Sequence, residues 1–290
     1  MGRISNSMAL ARSSWAVLKA DKQLAVIPVV SFFVSLAVTV LFGGAFLLSL
    51  THTPAPAATA ATAYSVTGTP TSTWSPTPVS FVVGAVGYLC VWFVITFFTG
   101  ALVAGAHQRL TGGTPTLGSA FGAAWERFSQ LMGWSVLSGV VGLIIQQIER
   151  QGILGAILGN IADIAWRLCT WLAIPVIMVE GVGPVAALKR SGALFKRTWG
   201  ENVIAQMGFG LVGLLLFLPG LLLGGLLLPV VPAAAIVIFV LWAGVTSTVM
   251  AALNGIFRTA LYLYAAGQDV HWFDEQALAG AFRPKASIFR

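Results

Sequence analysis

Between Lys22 and Arg109 the chain has no Asp, Glu, Lys or Arg, and the same holds between Glu201 and Arg258. In soluble domains about a quarter of residues are charged, so gaps of this length leave no material for a wetted surface. Across all 290 residues, 57% are hydrophobic and 9% are charged. No single soluble core of this size can hide that much apolar area, because too large a share of any small domain stays in contact with water. An ordinary soluble enzyme is excluded. Two cysteines are too few for a disulfide-stapled secreted module, and the apolar bulk excludes general disorder.

A helix needs about 20 apolar residues to cross the hydrocarbon layer. Leu24–Leu50, Val79–Ala106 and Leu131–Ile148 supply three such runs. The fourth ends in WLAIPVIMV before Glu180, with its start after Gly152. Val203–Phe257 is long enough for two more, with a turn marked by Pro219, Gly220, Pro229 and Pro232. The expected fold is an all-α membrane protein with six transmembrane helices in one polytopic domain, residues 1–290. The first run is too long for a signal-peptide core and follows a charged segment, so it is read as a retained span. Residues 51–78, rich in Thr, Pro, Ala and Ser without charge, read as a flexible outer loop, and 266–290 as a cytoplasmic tail.

Lys and Arg in short loops set orientation, because cytoplasmic loops carry the excess. Arg3, Arg12, Lys19, Lys22, Arg109, Arg127, Lys189, Arg190, Lys196, Arg197, Arg258, Arg283, Lys285 and Arg290 all fall on one side. Arg150 alone is a clear loop base on the other. The reading is a multi-pass protein of a bacterial plasma membrane with both termini cytoplasmic. The net charge of +7 invites comparison with nucleic-acid binders. The bases flank the neutral stretches, however, which is the pattern of anchoring to anionic lipid, and no nucleic-acid partner is expected.

A weak internal repeat organises the cytoplasmic side. MALARSSWAVLK, LGSAFGAAWERF and ALKRSGALFKRTW each join a tryptophan, nearby bases and an apolar stripe, and each leads into an outward helix. The stripes are Ile4, Met8, Ala11, Trp15 and Leu18; Leu117, Phe121, Ala124, Phe128 and Leu131; and Val185, Leu188, Phe195 and Trp199. Such spacing suits an interfacial amphipathic helix. The architecture therefore reads as three hairpins, each preceded by a cytoplasmic in-plane helix, with units of about 1–112, 113–182 and 183–265. Trp15, Trp125 and Trp199 are the expected interfacial anchors. Arg12, Lys19, Lys189, Arg190, Lys196 and Arg197 are the expected contacts to anionic lipid of the cytoplasmic leaflet.

Charges inside the apolar zone are costly and so mark candidate sites. Asp163 and Arg167 stand four apart in NIADIAWRLCTW, in the favourable order for a pair on one helix. Counting back from Glu180 places them, with Asn160, in the outer half of the fourth span. They read either as a cavity-facing polar site or as a self-neutralising pair, and the second is favoured. Glu180 opens EGVGP, where Gly181, Gly183 and Pro184 punctuate one helix and start the next. Pro28 and Pro175 kink spans and free carbonyls. Gly118-x-x-x-Gly122 and Gly155-x-x-x-Gly159 permit close helix approach. His52, His107 and His271 fall in separate segments, Cys90 and Cys169 lie within spans, and no HExxH, GxSxG, Walker or dinucleotide motif occurs. No enzymatic activity, metal or cofactor is expected.

SWAVLKADKQLAVIPVVS, WLAIPVIMVEGVGPVAALKRSGALFKRTWGEN and ALNGIFRTALYLYAAG resemble a group of uncharacterised bacterial six-helix integral membrane proteins common in actinobacteria. The architecture is more distantly similar to the membrane domain fused to some glycerophosphodiester phosphodiesterases. The resemblance implies an inner-membrane protein without an assigned reaction and carries over no catalytic residue. Two readings of function remain. One is a non-enzymatic scaffold, partner subunit or anionic-lipid organiser. The other is a small-solute or ion transporter or channel with a path between the hairpins near Asp163 and Arg167. Scarce buried polar groups favour the organiser.

Overall fold

The computed structural model describes residues 3–53, 73–199, 208–229, 231–270 and 272–273, with side-chain surroundings for 12–50, 76–196, 213–214, 216–229, 231–270 and 272–273. The chain begins with α1 (Arg3–Ala20) and α2 (Gln23–Ser49). Two three-residue strands, β1 (Thr51–Thr53) and β2 (Thr73–Ser75), then pair antiparallel with Thr51 opposite Ser75. The ends of the expected outer loop are thus zipped together, while its centre and most of the expected tail lie outside the described residues. α3 (Pro78–Leu110), α4 (Leu117–Glu126), α5 (Phe128–Glu149), α6 (Gly152–Thr170), α7 (Ala173–Glu180), α8 (Pro184–Trp199), α9 (Gly208–Leu227) and α10 (Pro232–Ala265) follow.

Five stretches are long and apolar enough to cross a membrane: α2, α3, α5, Gly152–Glu180 and α10. They identify a multi-pass membrane protein. The expected sixth span falls on α9, an uncharged helix whose described apolar stretch, Leu216–Leu227, is shorter than the other five. α9 ends at Leu227 and the turn begins at Leu228 and Pro229, so Pro219 sits inside α9 rather than in the loop.

Local chemistry sets the boundaries. Thr77 caps α3 by accepting from the Ser80 N–H, and Pro78 follows where a missing N–H costs nothing. The Thr77 hydroxyl also donates to the Ser49 carbonyl at 2.9 Å, tying the two helices of the first hairpin. Thr116 and Ser119 form a reciprocal capping box at α4. Gly181, at φ +68°, ends α7 in the left-handed conformation that suits glycine.

Pro175 breaks the fourth span. It lacks the N–H that would bond the Trp171 carbonyl, and its ring crowds that carbonyl, so α6 ends at Thr170 and α7 restarts at Ala173. The freed Leu172 N–H donates to the Ser191 hydroxyl of α8 at 3.1 Å, a buried bond. Leu172 and Ser191 stand nearly equally far from the turn at 181–183. They can meet only if α8 folds back along α7. α4 behaves likewise: Ala120 faces Gly105, while Phe121 and Trp125 pack on Phe97. The expectation of helices lying flat across the ends of the bundle gives way to helices laid against the flanks of the preceding ones.

Each of these helices packs on the hairpin before it: α4 on α3, α8 on α6 and α7, and α1 on α10, which closes the series. Their buried faces carry small residues. Ser14 and Val17 are buried on α1, Ala120 and Ala124 on α4, and Ala187, Ser191 and Leu194 on α8. The expected stripes are therefore shifted in part. Val185 and Trp15 are exposed, and Leu117, Phe121 and Leu188 are half-buried. The side chains of Ile4, Met8, Ala11, Arg197 and Trp199 lie outside the described residues.

Burial switches abruptly along the long helices. In α3 only Ser80, Gly87 and Thr96 are buried before position 100, whereas Gly100–Ala106 and Leu110 are all enclosed. In α10 the buried residues before 252 are Ala235, Gly244 and Thr246, but most of Ala252–Ala265 is enclosed. α2 shows the reverse order, with Leu24, Ile27 and Pro28 buried and none beyond. α6 buries only glycines, whereas α7 buries Ala173 and Pro175–Met178. In each case the lightly packed part is about 20 residues, or ~30 Å, which matches the hydrocarbon thickness. The enclosed parts gather at the end bearing the turns 21–22, 111–116 and 181–183, here termed the basic end. α1, α4, α7 and α8 wrap them into a collar with one apolar core.

The collar is glycine-tight. A Cβ at Gly105 would meet Leu24 at 2.7 Å, one at Gly100 would meet Leu131 at 3.0 Å, and one at Gly255 would strike Leu102. In the lightly packed slab, Phe42 fills the notch at Gly87 and Phe32 the notch at Gly244, the small-residue contacts expected between helices in lipid.

Candidate functional site

Asp163 and Arg167 pair as the sequence suggests, with Arg167 Nε donating to Asp163 Oδ2 at 2.7 Å. Within the candidate span Gly152–Glu180 they lie around its middle, Asp163 before the midpoint and Arg167 next to it. Asn160 spends its amide on the Ala156 carbonyl of its own helix and does not join them. Arg167 is 73% exposed and Asp163 30% exposed, the geometry of a self-neutralising surface pair rather than of an enclosed site.

The denser polar constellation lies further along, from Trp171 at the helix break to Glu180, where the broken fourth span, α8 and α10 meet. Glu180, the last residue of α7, accepts on one oxygen from Arg190 Nε of α8 at 3.1 Å and from the Tyr262 hydroxyl of α10 at 3.0 Å. Three helices are clamped by one carboxylate. Beside it, the Arg127 guanidinium lies against Gly181, so close that a Cβ there would meet it at 3.0 Å. One turn before Tyr262, Arg258 places its guanidinium carbon 4.1 Å from the Trp171 ring centre, a cation–π contact that bridges α10 to the break between α6 and α7. Arg258 Nε and Trp171 Nε1 are both enclosed, and neither has a hydrogen-bond partner.

Sequence reasoning names Glu180 and Arg190 but does not single out Trp171, Ser191, Arg258 or Tyr262 as a constellation. Arg258 reads from sequence as a base flanking the last span, yet α10 continues past it to Ala265. The available signal is that Arg258 interrupts an otherwise apolar run, since ALYLYA continues after it. Ser191 is buried against the helix break, which a polar residue between Arg190 and Gly192 does not announce.

Among the expected lipid contacts, Arg12, Lys19, Lys189, Arg190 and Lys196 are exposed. Arg190 is nevertheless engaged by Glu180, so it is part of the clamp. Of the expected anchors, Trp15 is 46% and Trp125 68% exposed, and the Trp125 ring edge packs on Phe97. Phe97 lies just before the burial switch of α3, so Trp125 marks the boundary between slab and collar. Cys90 on α3 and Cys169 on α6 are unpaired thiols. Among the described residues, no group of three or more His, Cys, Asp or Glu is placed to hold a metal ion.

Residues 78–271 match the model of a family of unknown function, DUF6159, and the chain belongs to that family. No match is found among curated proteins or among solved structures.

Proposed function

We propose that this member of a family without an assigned activity is a non-enzymatic membrane organiser. In this reading six helices span a bacterial plasma membrane, with α9 as the sixth, and the collar faces the cytoplasm. The basic end then gathers anionic lipid, or seats a membrane partner, around a rigid apolar core. One observation carries the reading. α1 and α8 turn small and apolar residues such as Val17, Ala187 and Leu194 inward, while Lys19, Lys189 and Lys196 stay exposed around the rim. Lysines in that position each add about 1 kcal/mol of attraction to an anionic leaflet. The packing of α1, α4 and α8, each on the preceding hairpin, supports the threefold repeat.

The experiment is lipid analysis of the purified chain. Lys189→Gln, Lys196→Gln and Arg197→Gln together should lower the anionic lipid carried per chain, with the clamp residue Arg190 kept. Unchanged anionic lipid would refute the organiser reading. Orientation is checked with Ala193→Cys, which should label only after permeabilisation, and Gln151→Cys, which should label from outside. The second reading, a small-solute or ion path near Asp163 and Arg167, draws less support, since those side chains neutralise each other and Arg167 is largely exposed.

A further inference from the structure

Past α10 the backbone carries a strain found nowhere else among the described residues. Gly267, at φ +75°, stops the helix in the left-handed conformation. The Gln268 N–H then donates to the Leu263 carbonyl at 2.9 Å and the Gly267 N–H to the Tyr264 carbonyl at 3.0 Å. This glycine-capped end turns the chain off the helix axis. Five residues later Trp272 stands at φ +80°, the one non-glycine residue with positive φ among those described. A Cβ crowds the backbone there, and a bulky side chain rarely accepts it.

Such a conformation persists only where its surroundings over-determine it. Two contacts do so. Phe273 is 7% exposed and belongs to the apolar core of the collar, and Val270 packs against the same core. Arg109, one residue before the end of α3, places its guanidinium carbon 5.0 Å from the centre of the Trp272 ring. That ring is 48% exposed, so the stack rather than burial holds it. Arg109 Nε is enclosed without a hydrogen-bond partner, so no acceptor at that nitrogen backs the stack.

The balance here differs from that at the helix seams. A collar helix is held by many side chains at once. This segment hangs on one buried ring and one stacked ring, against a backbone that favours release. Segments with few buried contacts open below the free energy of global unfolding. We propose that the chain after α10, through Trp272 and Phe273, is a strap on the basic end of the collar that opens independently of it. On opening, Phe273 leaves the core and Trp272 relaxes to negative φ, while the collar helices stay packed. Arg109 is the catch and Trp272 the spring. The strap decides whether the end of α3 presents a sealed surface or an exposed apolar core. This goes beyond the organiser reading and does not depend on it.

The test is fluorine NMR of the full chain in lipid nanodiscs, with 4-fluorophenylalanine incorporated at position 273 and a water-soluble gadolinium chelate as the probe of exposure. The unaltered chain should give a dominant shielded line and a minor line broadened by the chelate. Arg109→Gln should raise the open-to-closed ratio roughly two- to fivefold, and Arg109→Lys, which keeps a cation over the ring, should raise it less. Trp272→Ala removes the ring and keeps the strain, whereas Trp272→Gly removes both. The alanine variant should therefore open more than the glycine variant. The same label at position 257, inside the collar on α10, should remain one shielded line throughout. A single shielded line at 273 that persists in Trp272→Ala, or no change in Arg109→Gln, would overturn the proposal. So would equal opening in the alanine and glycine variants, or a response at 257 that follows the one at 273.

Discussion

The same helix lives in two environments in this protein. From Pro78 to Thr99, α3 buries only Ser80, Gly87 and Thr96, and large residues such as Phe81, Val82 and Ile95 face outward. From Gly100 to Leu110 it is enclosed almost completely. α10 repeats the contrast on either side of Ala252. The difference teaches that length beyond about 20 residues is not surplus span here. It builds a second layer, in which α1, α4, α7 and α8 replace lipid as the surroundings of the long helices. Between lipid tails and a Leu side chain there is little to choose hydrophobically, so the slab is held by small-residue notches and dispersion. The collar adds the tight packing of a protein interior.

Substitutions should sort by layer. Leu131 is fully buried against Gly100, so Leu131→Ala should lower stability by about 2–5 kcal/mol, whereas Leu48→Ala, at an exposed slab position, should cost little. Reversible unfolding in mixed micelles reads both. Equal effects would erase the distinction. Next is Gly255→Ala, whose Cβ would strike Leu102; overpacking there should cost about 1–3 kcal/mol. Gly43→Ala, with nothing within 4 Å, should be neutral or slightly stabilising by the same measurement.

How much of this was legible in the sequence follows from what hydropathy can see. The charge-free runs mark the spans, because charge in hydrocarbon is costly whatever the fold. The collar leaves no such mark, since the apolar pattern runs on unbroken from a lipid-facing to a protein-enclosed stretch. GALVAGA in α3 differs from the preceding FVVGAVGYLCVWFVITFF in side-chain size rather than polarity. That small-residue density was the available clue to close packing. The Trp-containing helices were found from their periodicity, but their inclination along the preceding helices depends on contacts such as Ser191 with Leu172. These join residues 19 apart across a helix break. Asp163 and Arg167 were legible as a pair because spacing alone sets it. The Arg258–Trp171 contact was not, because it joins two hairpins whose relative placement no local pattern encodes.

Ser191→Ala sharpens the comparison at the junction of the layers. It leaves the Leu172 N–H buried and unpaired, which should cost about 1–3 kcal/mol, and Ser191→Thr should recover part of the loss. Thermal unfolding of the two variants side by side is the check. Smallest is the Asp163–Arg167 pair. A double-mutant cycle should give a coupling of about 0.6 kcal/mol, as for polar contacts measured within membrane helices. A coupling several times larger would place the pair in an enclosed site and revive the transport reading.

The central claim is that α3 passes from lipid into protein near Gly100. Nitroxide labels placed one at a time from Phe81 to Ala106 in bilayers, read by oxygen and by a water-soluble nickel complex, test it directly. Positions 81–98 should show oxygen accessibility with a helical period, and positions 100–106 should show little accessibility to either reagent. A helical oxygen period that continues unbroken through Ala106 would mean that lipid surrounds the whole helix, and the collar would not exist.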